Sequence, residues 1–397
     1  MFDPAPRVDP MSCTGRSVSS RMDVGTTARR AQPISMTFFI TGITGFVGAE
    51  VAVRLIQSGH EVHGLIRAGD LDEAHERLHG TFRSRYESTA DELALLNPVL
   101  GDVTAPDLGL SALDRRRLIN RVTHVVHCAA TVNFDVPMLE ALRVNTVGTR
   151  HVLDVSRAIA AGGRLERVVH VSTAYVAGAT VGPFHEDDLE RGQEFRNPYE
   201  RSKYEGERLV AEAEDLPAVV ARPSIVVGDS QTGWTPSFNV IYGPLRAFDK
   251  GLVTSLPLAL DGLLDIVPVD YVADGLVALA EGGIAGERYH LVAGHRATTN
   301  GDLLDLACRT LRRARPVVTL PGDDDFAPVL TAYAPYFTVR APFDDRRARR
   351  LLEPQGVSAP PIDGYFDRLM AFARATRWGR LPLSRPQAAR SLAASAA

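Results

Sequence analysis

The chain reads as an α/β protein, a doubly wound parallel sheet with a smaller C-terminal substrate-binding or lid portion. Three observations predict this. Short apolar runs alternate with helical patterns from residue 37 to about residue 295. The first run passes through a glycine loop directly into a helix. Small or hydroxyl-bearing residues follow several of the runs, at what would be the carboxyl edge of a parallel sheet, where open α/β folds bind ligands.

Taken in order, Thr37 to Ile40 reads as a buried strand. It is followed by Thr41-Gly42-Ile43-Thr44-Gly45-Phe46-Val47-Gly48 and a helical run from Ala49 to Ser58. Strand, glycine loop and helix together give a glycine motif its meaning as a dinucleotide site of Rossmann type. Gly42 permits the tight turn, Gly45 a close approach of pyrophosphate, and Gly48 close packing of helix on strand. Thr44, Phe46 and Val47 belong to the same loop. The helix N-terminus offers free N–H groups to the phosphates. The second strand, Glu61 to Ile66, ends in Arg67. An acid here would hold a ribose 2′-hydroxyl, whereas an arginine accommodates a 2′-phosphate, so Arg67 points to NADP(H). Arg77 is a weaker candidate for a second phosphate contact.

A third strand, Val99 to Val103, places Asp102 and Val103 at the adenine end, where Asp102 reads equally as a turn residue. Val122 to Ala130 is a fourth strand, and Ala129 and Ala130 let a cofactor lie against backbone. Cys128, within this apolar run, reads as inert core and not as a thiolate nucleophile. Asn145, beginning or lying in a helix, either orders the site around the cofactor or caps. Arg167 to Val171 is a fifth strand running into Ser172 and Thr173, whose hydroxyls can hold a substrate carbonyl and its developing oxyanion. His185 to Asp188 read as an exposed loop. Ala218 to Val227 is a sixth strand broken by Pro223, which marks the strand end beneath a nicotinamide. Arg288 to Ala293 is the last strand. Asn300 to Arg313 and Tyr365 to Arg377 have helical periodicity, with Leu369, Met370 and Phe372 as an apolar face.

The expected organisation is therefore a disordered extension over 1–35 and an NADP-binding core over 36–229. A substrate-side insertion over 230–263 and a return to the core over 264–295 follow. A helical lid region over 296–381 and a disordered tail over 382–397 complete it. Met36, directly before the first strand, is a candidate translation start.

Composition narrows the class of partner. Of 397 residues, 44 are basic and 48 acidic, net −4, so nothing in the charge balance points to nucleic acid. Three scattered cysteines, Cys13, Cys128 and Cys308, fit a reducing compartment, and a cytoplasmic location is expected. No spacing of His and Cys suggests a metal, and no apolar run is long enough to span a bilayer. Arg346, Arg347, Arg349 and Arg350 form a basic cluster, read as a solvated helix face with docking of an acidic carrier protein or of coenzyme A phosphates as the alternative.

The chemistry centres on Asn197-Pro198-Tyr199-Glu200-Arg201-Ser202-Lys203. Asn197 caps, Pro198 suits the first helical position, and Glu200 can close a capping box. Tyr199 and Lys203 then share one helix face. A free phenol titrates near pH ~10, and a neighbouring cation lowers that value, giving a proton donor usable at neutral pH.

Gly42-x-x-Gly45-x-x-Gly48, Ser172-Thr173 and Tyr199-x-x-x-Lys203, in that order at strand ends, resemble an extended short-chain dehydrogenase/reductase over roughly residues 37–295. Leu65-Ile66-Arg67-Ala68, His127-Cys128-Ala129-Ala130-Thr131-Val132-Asn133-Phe134, the Tyr199 segment and Val267-Pro268-Val269-Asp270-Tyr271 are similar to the thioester reductase and fatty acyl-CoA reductase branch. The resemblance implies transfer of hydride from NADPH to an acyl thioester carried by coenzyme A or a carrier protein, giving an aldehyde or an alcohol. It implies Tyr199 as proton donor, Lys203 on the nicotinamide ribose, and Thr173 with Ser172 at the oxyanion. Two rival readings are carried beside it. One is a nucleotide-sugar epimerase/dehydratase or hydroxysteroid-type dehydrogenase of the same extended family, and the other is a non-catalytic NADP-sensing protein. The sequence leaves oligomeric state open.

Overall fold

The structure is a computed structural model that describes residues 36–319, 336 and 339–396. The expectation for residues 1–35 lies outside that range. Seven strands form the main sheet: β1 (Thr37–Thr41), β2 (Glu61–Ile66), β3 (Leu96–Leu100), β4 (His124–His127), β5 (Arg167–Val171), β6 (Ala218–Pro223) and β7 (Arg288–Leu291). All pairings are parallel, in the order β7-β6-β5-β4-β1-β2-β3. The direction of winding therefore reverses between β1 and β4, which opens a crevice at the carboxyl ends of those two strands.

Alternation along β1 divides the core. Phe38 and Ile40 face one layer with helices α1 (Phe46–Gln57) and the later Val269–Gly282. Phe39 faces the other, with Leu65, Val125 and helix Gly148–Ala161. Burial on both faces explains why these strands read as nearly continuous apolar runs. Helix α2 (Leu71–Tyr86) follows β2, and α3 (Gly148–Ala161) and α4 (Pro198–Glu212) cover the second face. A third apolar cluster builds the substrate lobe around α5 (Tyr242–Asp249). The core helix α6 (Val269–Gly282) is followed by α7 (Asn300–Leu311) and α8 (Phe366–Ala375), which belong to the lobe. Leu369, Met370 and Phe372 are buried there, as their spacing predicts.

Several expectations are corrected. β3 ends at Leu100, so Asp102 and Val103 lie in the loop beyond it. After Pro223 the chain leaves the main sheet, and Ile225–Val227 pairs instead with Ile266–Pro268. Glu186, expected in an exposed loop, is buried because its carboxylate accepts from the backbone N–H groups of His290, Arg347 and Ala348. The tail expected to lack structure contains α9 (Arg385–Ala396). Arg385 carries the reason, since its guanidinium pairs with the fully buried carboxylates of Glu50 and Asp229.

Candidate active site

The cofactor end of the crevice is built by the glycine loop. Gly42 has φ +70°, and a Cβ there would stand 2.7 Å from the Ala129 nitrogen. A Cβ on Gly48 would stand 2.3 Å from the Gly42 carbonyl oxygen, so the loop and α1 can touch only as bare backbone. Gly45 is the N-cap of α1 and supplies no capping side chain, which leaves the first-turn amides free for an anion. These features fit a dinucleotide pyrophosphate.

Two cavities, of about 510 and about 440 Å3, meet over this loop and share Gly42, Thr44, Gly45, Cys128 and Ala130. The smaller one carries Arg67, Asp102, Val103 and Ala129 at its wall. Arg67 is largely exposed, with Nη1 4.0 Å from Asp102 Oδ2. Asp102 also accepts from the Thr104 amide and hydroxyl, which is the turn role, and it lines the smaller cavity. Arg77 lines the same wall and donates to the Arg67 carbonyl at 2.8 Å. The fold thus brings two guanidinium groups to one wall of the smaller cavity.

The larger cavity holds Phe46, Val47, Gly48, Ser172, Thr173, Tyr199, Lys203 and Pro223. Asn197 caps α4 by accepting from the Glu200 amide at 3.0 Å, and Pro198 opens the helix. The capping box closes one residue early, because the Glu200 carboxylate accepts from Arg196 N instead. Thr173 follows β5, where its hydroxyl donates to the Pro223 carbonyl, accepts from the Tyr175 amide and meets the Tyr199 phenol. Thr173, Tyr199 and Pro223 are therefore one contact group.

The electrostatics differ from the expected pair. Burial pushes the Tyr199 phenol up to about 12, against a smaller downward pull from Thr173, and Glu200 adds to the rise. Lys203 does not lower it. Its ammonium turns to the Val171 carbonyl, to which it donates at 2.6 Å, and burial pushes it down to about 8. The phenol is thus held protonated at neutral pH and not as a phenolate. Cys128 lines the cleft instead of lying in core, but burial pushes its thiol up to about 12, so the inert reading stands.

Two assigned residues work at one remove. Ser172 borders the cavity, yet its hydroxyl donates to the buried Glu207 carboxylate at 2.8 Å, which removes that proton from the oxyanion role. Asn145 lines neither cavity. It sits in a π-helical turn, Arg143–Val147, accepts from the Thr131 amide, and donates to the Thr131 carbonyl and to the Ser202 hydroxyl at 2.9 Å. It therefore ties the loop after β4 to the helix that carries Tyr199 and Lys203, and is a positioning residue, not a cofactor contact.

Other residues of the site were not foreseen. Phe134 lies 5.9 Å from Tyr199 and 5.5 Å from Tyr336, ring centre to ring centre. Tyr336 is fixed by a 2.7 Å hydrogen bond from Asn197 Nδ2 to its hydroxyl oxygen. Arg85 lines the cavity and donates to the Thr44 carbonyl. Helical periodicity marks Arg85 as lying on α2, but nothing local marks Tyr336. The basic cluster is mostly neutralised within the chain, Arg346 by Asp344, Arg347 by Asp187 and Arg349 by Asp345, leaving Arg350 exposed. Among the described residues no helix is long and apolar enough to cross a membrane.

Comparison with known proteins agrees with this architecture. Residues 40–276 match the Male sterility protein family of NAD-binding domains. A Drosophila melanogaster protein named as a fatty acyl-CoA reductase is 31% identical over 277 residues, 60% of this chain and 53% of its own length. Fatty acyl-CoA reductase 8 of Arabidopsis thaliana is 25% identical, over 64% of this chain and 65% of its own. The chain thus spans about half to two-thirds of these relatives. The terminal R domain of the myxalamid PKS-NRPS biosynthetic pathway superposes with a TM-score of 0.76 at 25% identity, covering 88% of this chain and 92% of that one. With residues 40–276 matched by that family, the chain belongs to the Male sterility protein family, the fatty acyl-CoA reductase-like branch of the extended short-chain dehydrogenases/reductases.

Proposed function

We propose that this protein is an NADPH-dependent oxidoreductase that reduces an acyl thioester, borne by coenzyme A or a carrier protein, to an aldehyde or onward to an alcohol. The observation that carries the reading is the meeting of Thr173, Tyr199, Lys203 and Pro223 in one cavity that opens into the glycine-loop cavity. The similarity to fatty acyl-CoA reductases and to a reductase domain supports the thioester as substrate. Arg67 and Arg77 at the ribose end support a 2′-phosphate, hence NADP.

When bound, the reduced nicotinamide supplies hydride to the thioester carbonyl carbon. The Tyr199 phenol, set against the Thr173 hydroxyl, holds the carbonyl oxygen and donates a hydrogen bond or its proton as charge develops there; Thr173 joins it only if its hydroxyl turns from the Pro223 carbonyl. Collapse of the adduct then releases the thiol and the aldehyde. Lys203 provides the buried positive charge beside the cofactor, its donor fixed by the Val171 carbonyl. Asn145 and Ser202 hold the helix that presents both side chains.

The test is NADPH oxidation against a panel of acyl thioesters, aldehydes and ketones, with identification of the product. Tyr199→Phe is expected to lower turnover by about 10²–10⁴-fold while NADPH still quenches protein fluorescence on binding. A variant that kept the wild-type rate would overturn the assignment. Replacing Arg67 and Arg77 by alanine is expected to cut the preference for NADPH over NADH by roughly 10–100-fold, the worth of charged hydrogen bonds. An unchanged preference would remove the argument for NADP.

A further inference from the structure

The Asp265 carboxylate is buried at the carboxyl edge of the sheet, directly before the Ile266–Pro268 strand. Its Oδ1 accepts from the Ser224 hydroxyl at 2.5 Å and from the Ala293 amide at 2.8 Å, and its Oδ2 accepts from the Gly294 amide at 2.9 Å. Its backbone carbonyl accepts from the Ile225 amide at 3.2 Å. One residue thus joins the ends of β6 and β7 to the strand pair that carries the chain out of the main sheet. Gly294 has φ +58°, and a Cβ there would stand 2.7 Å from the Asp345 carboxylate carbon, so only bare backbone can bring this amide to Asp265. Among the described residues Asp265 forms no ion pair, and the neighbouring acid Asp345, which repels it, is itself paired with Arg349. The phenols of Tyr175, Tyr271 and Tyr365 around it are pushed up by burial and stay neutral. A carboxylate buried without a cation costs free energy unless donors compensate it. Here three donors converge, and burial still pushes the group up to about 6.

What this carboxylate holds borders the reacting centre. Pro223 and Ser224 both line the cavity that contains Tyr199. The Pro223 carbonyl accepts from the Thr173 hydroxyl at 3.3 Å, and that hydroxyl meets the Tyr199 phenol. A contact series therefore runs from Asp265 through Ser224 and Pro223 to Thr173 and the phenol. Backbone bonds alone hold this corner weakly. Pro223 has no N–H for a ladder, and Ser224 keeps only a 3.3 Å bond to the Leu291 carbonyl. Resting on the reductase reading, we propose that Asp265, as a carboxylate, is a positioning residue for the reaction. It fixes the corner at Pro223 and Ser224, and through the Pro223 carbonyl it sets the direction of the Thr173 hydroxyl against Tyr199. Asp265 itself lines neither of the two large cavities. Protonation, or an amide in its place, puts a donor where three donors converge, and the corner loosens.

The experiment compares Asp265→Asn and Ser224→Ala with the wild type, using NADPH and octanoyl-coenzyme A or the best thioester of the panel. Because the carboxylate acts in its ionised form, wild-type kcat is expected to fall as pH drops through about 6. Asp265→Asn is expected to remove that acid limb and to lower kcat at neutral pH by roughly 10²-fold, the cost of a misplacement of about 1 Å, while KM and NADPH affinity change by less than about threefold. Ser224→Ala keeps the charge but removes a hydrogen bond that favours it. Its acid limb is expected to move above about 6, with kcat about tenfold lower. This second variant carries the test if the asparagine variant does not fold. A role in folding alone would lower Tm and leave the limb of the Ser224 variant where the wild type has it. That outcome refutes the proposal, as does an asparagine variant that keeps the wild-type kcat or the same acid limb. If the wild type reduces no carbonyl compound, the reductase reading falls by itself. The clamp is then read by nuclear magnetic resonance, from the Gly294 amide and the Thr173 methyl group. Shifts of both through about pH 6, displaced upwards in Ser224→Ala, keep the clamp. A Thr173 methyl group that does not titrate removes it.

Discussion

Arg222 offers the sharpest test of how the site is held. It is fully buried, and its guanidinium grips Glu207 at 2.5–3.1 Å while donating to the Asp188 and Glu186 carbonyls at 2.6 and 3.4 Å. Glu207, also fully buried, in turn accepts from Ser172 and pairs with Arg288 at 3.0 Å. Replacing Arg222 by methionine keeps most of the volume and removes one partner of a buried ion pair, a change that costs about 3–5 kcal/mol. Arg288 still compensates part of the Glu207 charge, but two carbonyls lose a donor, at about 1 kcal/mol each. The expected loss is therefore about 4 kcal/mol. In urea, with a slope near the upper end of about 1–3 kcal/mol per molar for a chain of this size, the unfolding midpoint should fall by roughly 1 M. Removing both charges, Arg222→Met with Glu207→Leu, should recover much of the loss, because no uncompensated carboxylate remains. A single variant within about 0.3 M of wild type, or a double variant worse than the sum of its singles, would refute this reasoning.

Other outcomes follow from the same geometry. Lys203 is a cation below its depressed value of about 8 and neutral above it, so kcat/KM should fall as pH rises through about 8. A first limb above pH ~10, near the ordinary lysine and tyrosine values, would show that Lys203 is not depressed in the free enzyme. Arg385→Ala strips a partner from Glu50 and Asp229. Arg54 still pairs with Glu50, and the loop amides still serve Asp229, so a loss of about 2–3 kcal/mol is expected, read as a fall of roughly 5 °C in Tm. An unchanged Tm would mean that α9 adds nothing to the fold.

Local sequence determined the frame of this protein. Strand, glycine loop and helix at 37–58 are set by contacts a few residues apart, as is the shared face of Tyr199 and Lys203. Pro223 announced the end of its strand for the same reason, since a residue without an N–H cannot continue a ladder. Only the tertiary structure decided what neighbours do with their hydrogen bonds. Ser172 and Thr173 are adjacent and chemically alike, but one turns to Glu207 and the other to Pro223 and Tyr199. The direction of the Lys203 ammonium, the burial of Glu186 and the docking of α9 through Arg385 likewise depend on partners more than thirty residues away in the chain. Tyr336 reaches the site across 139 residues from Asn197, and no periodicity records such a contact. Spacing in a sequence fixes which face a side chain shares. Burial and the last available donor or acceptor, which set its charge and its task, come from elements that meet only when the chain folds.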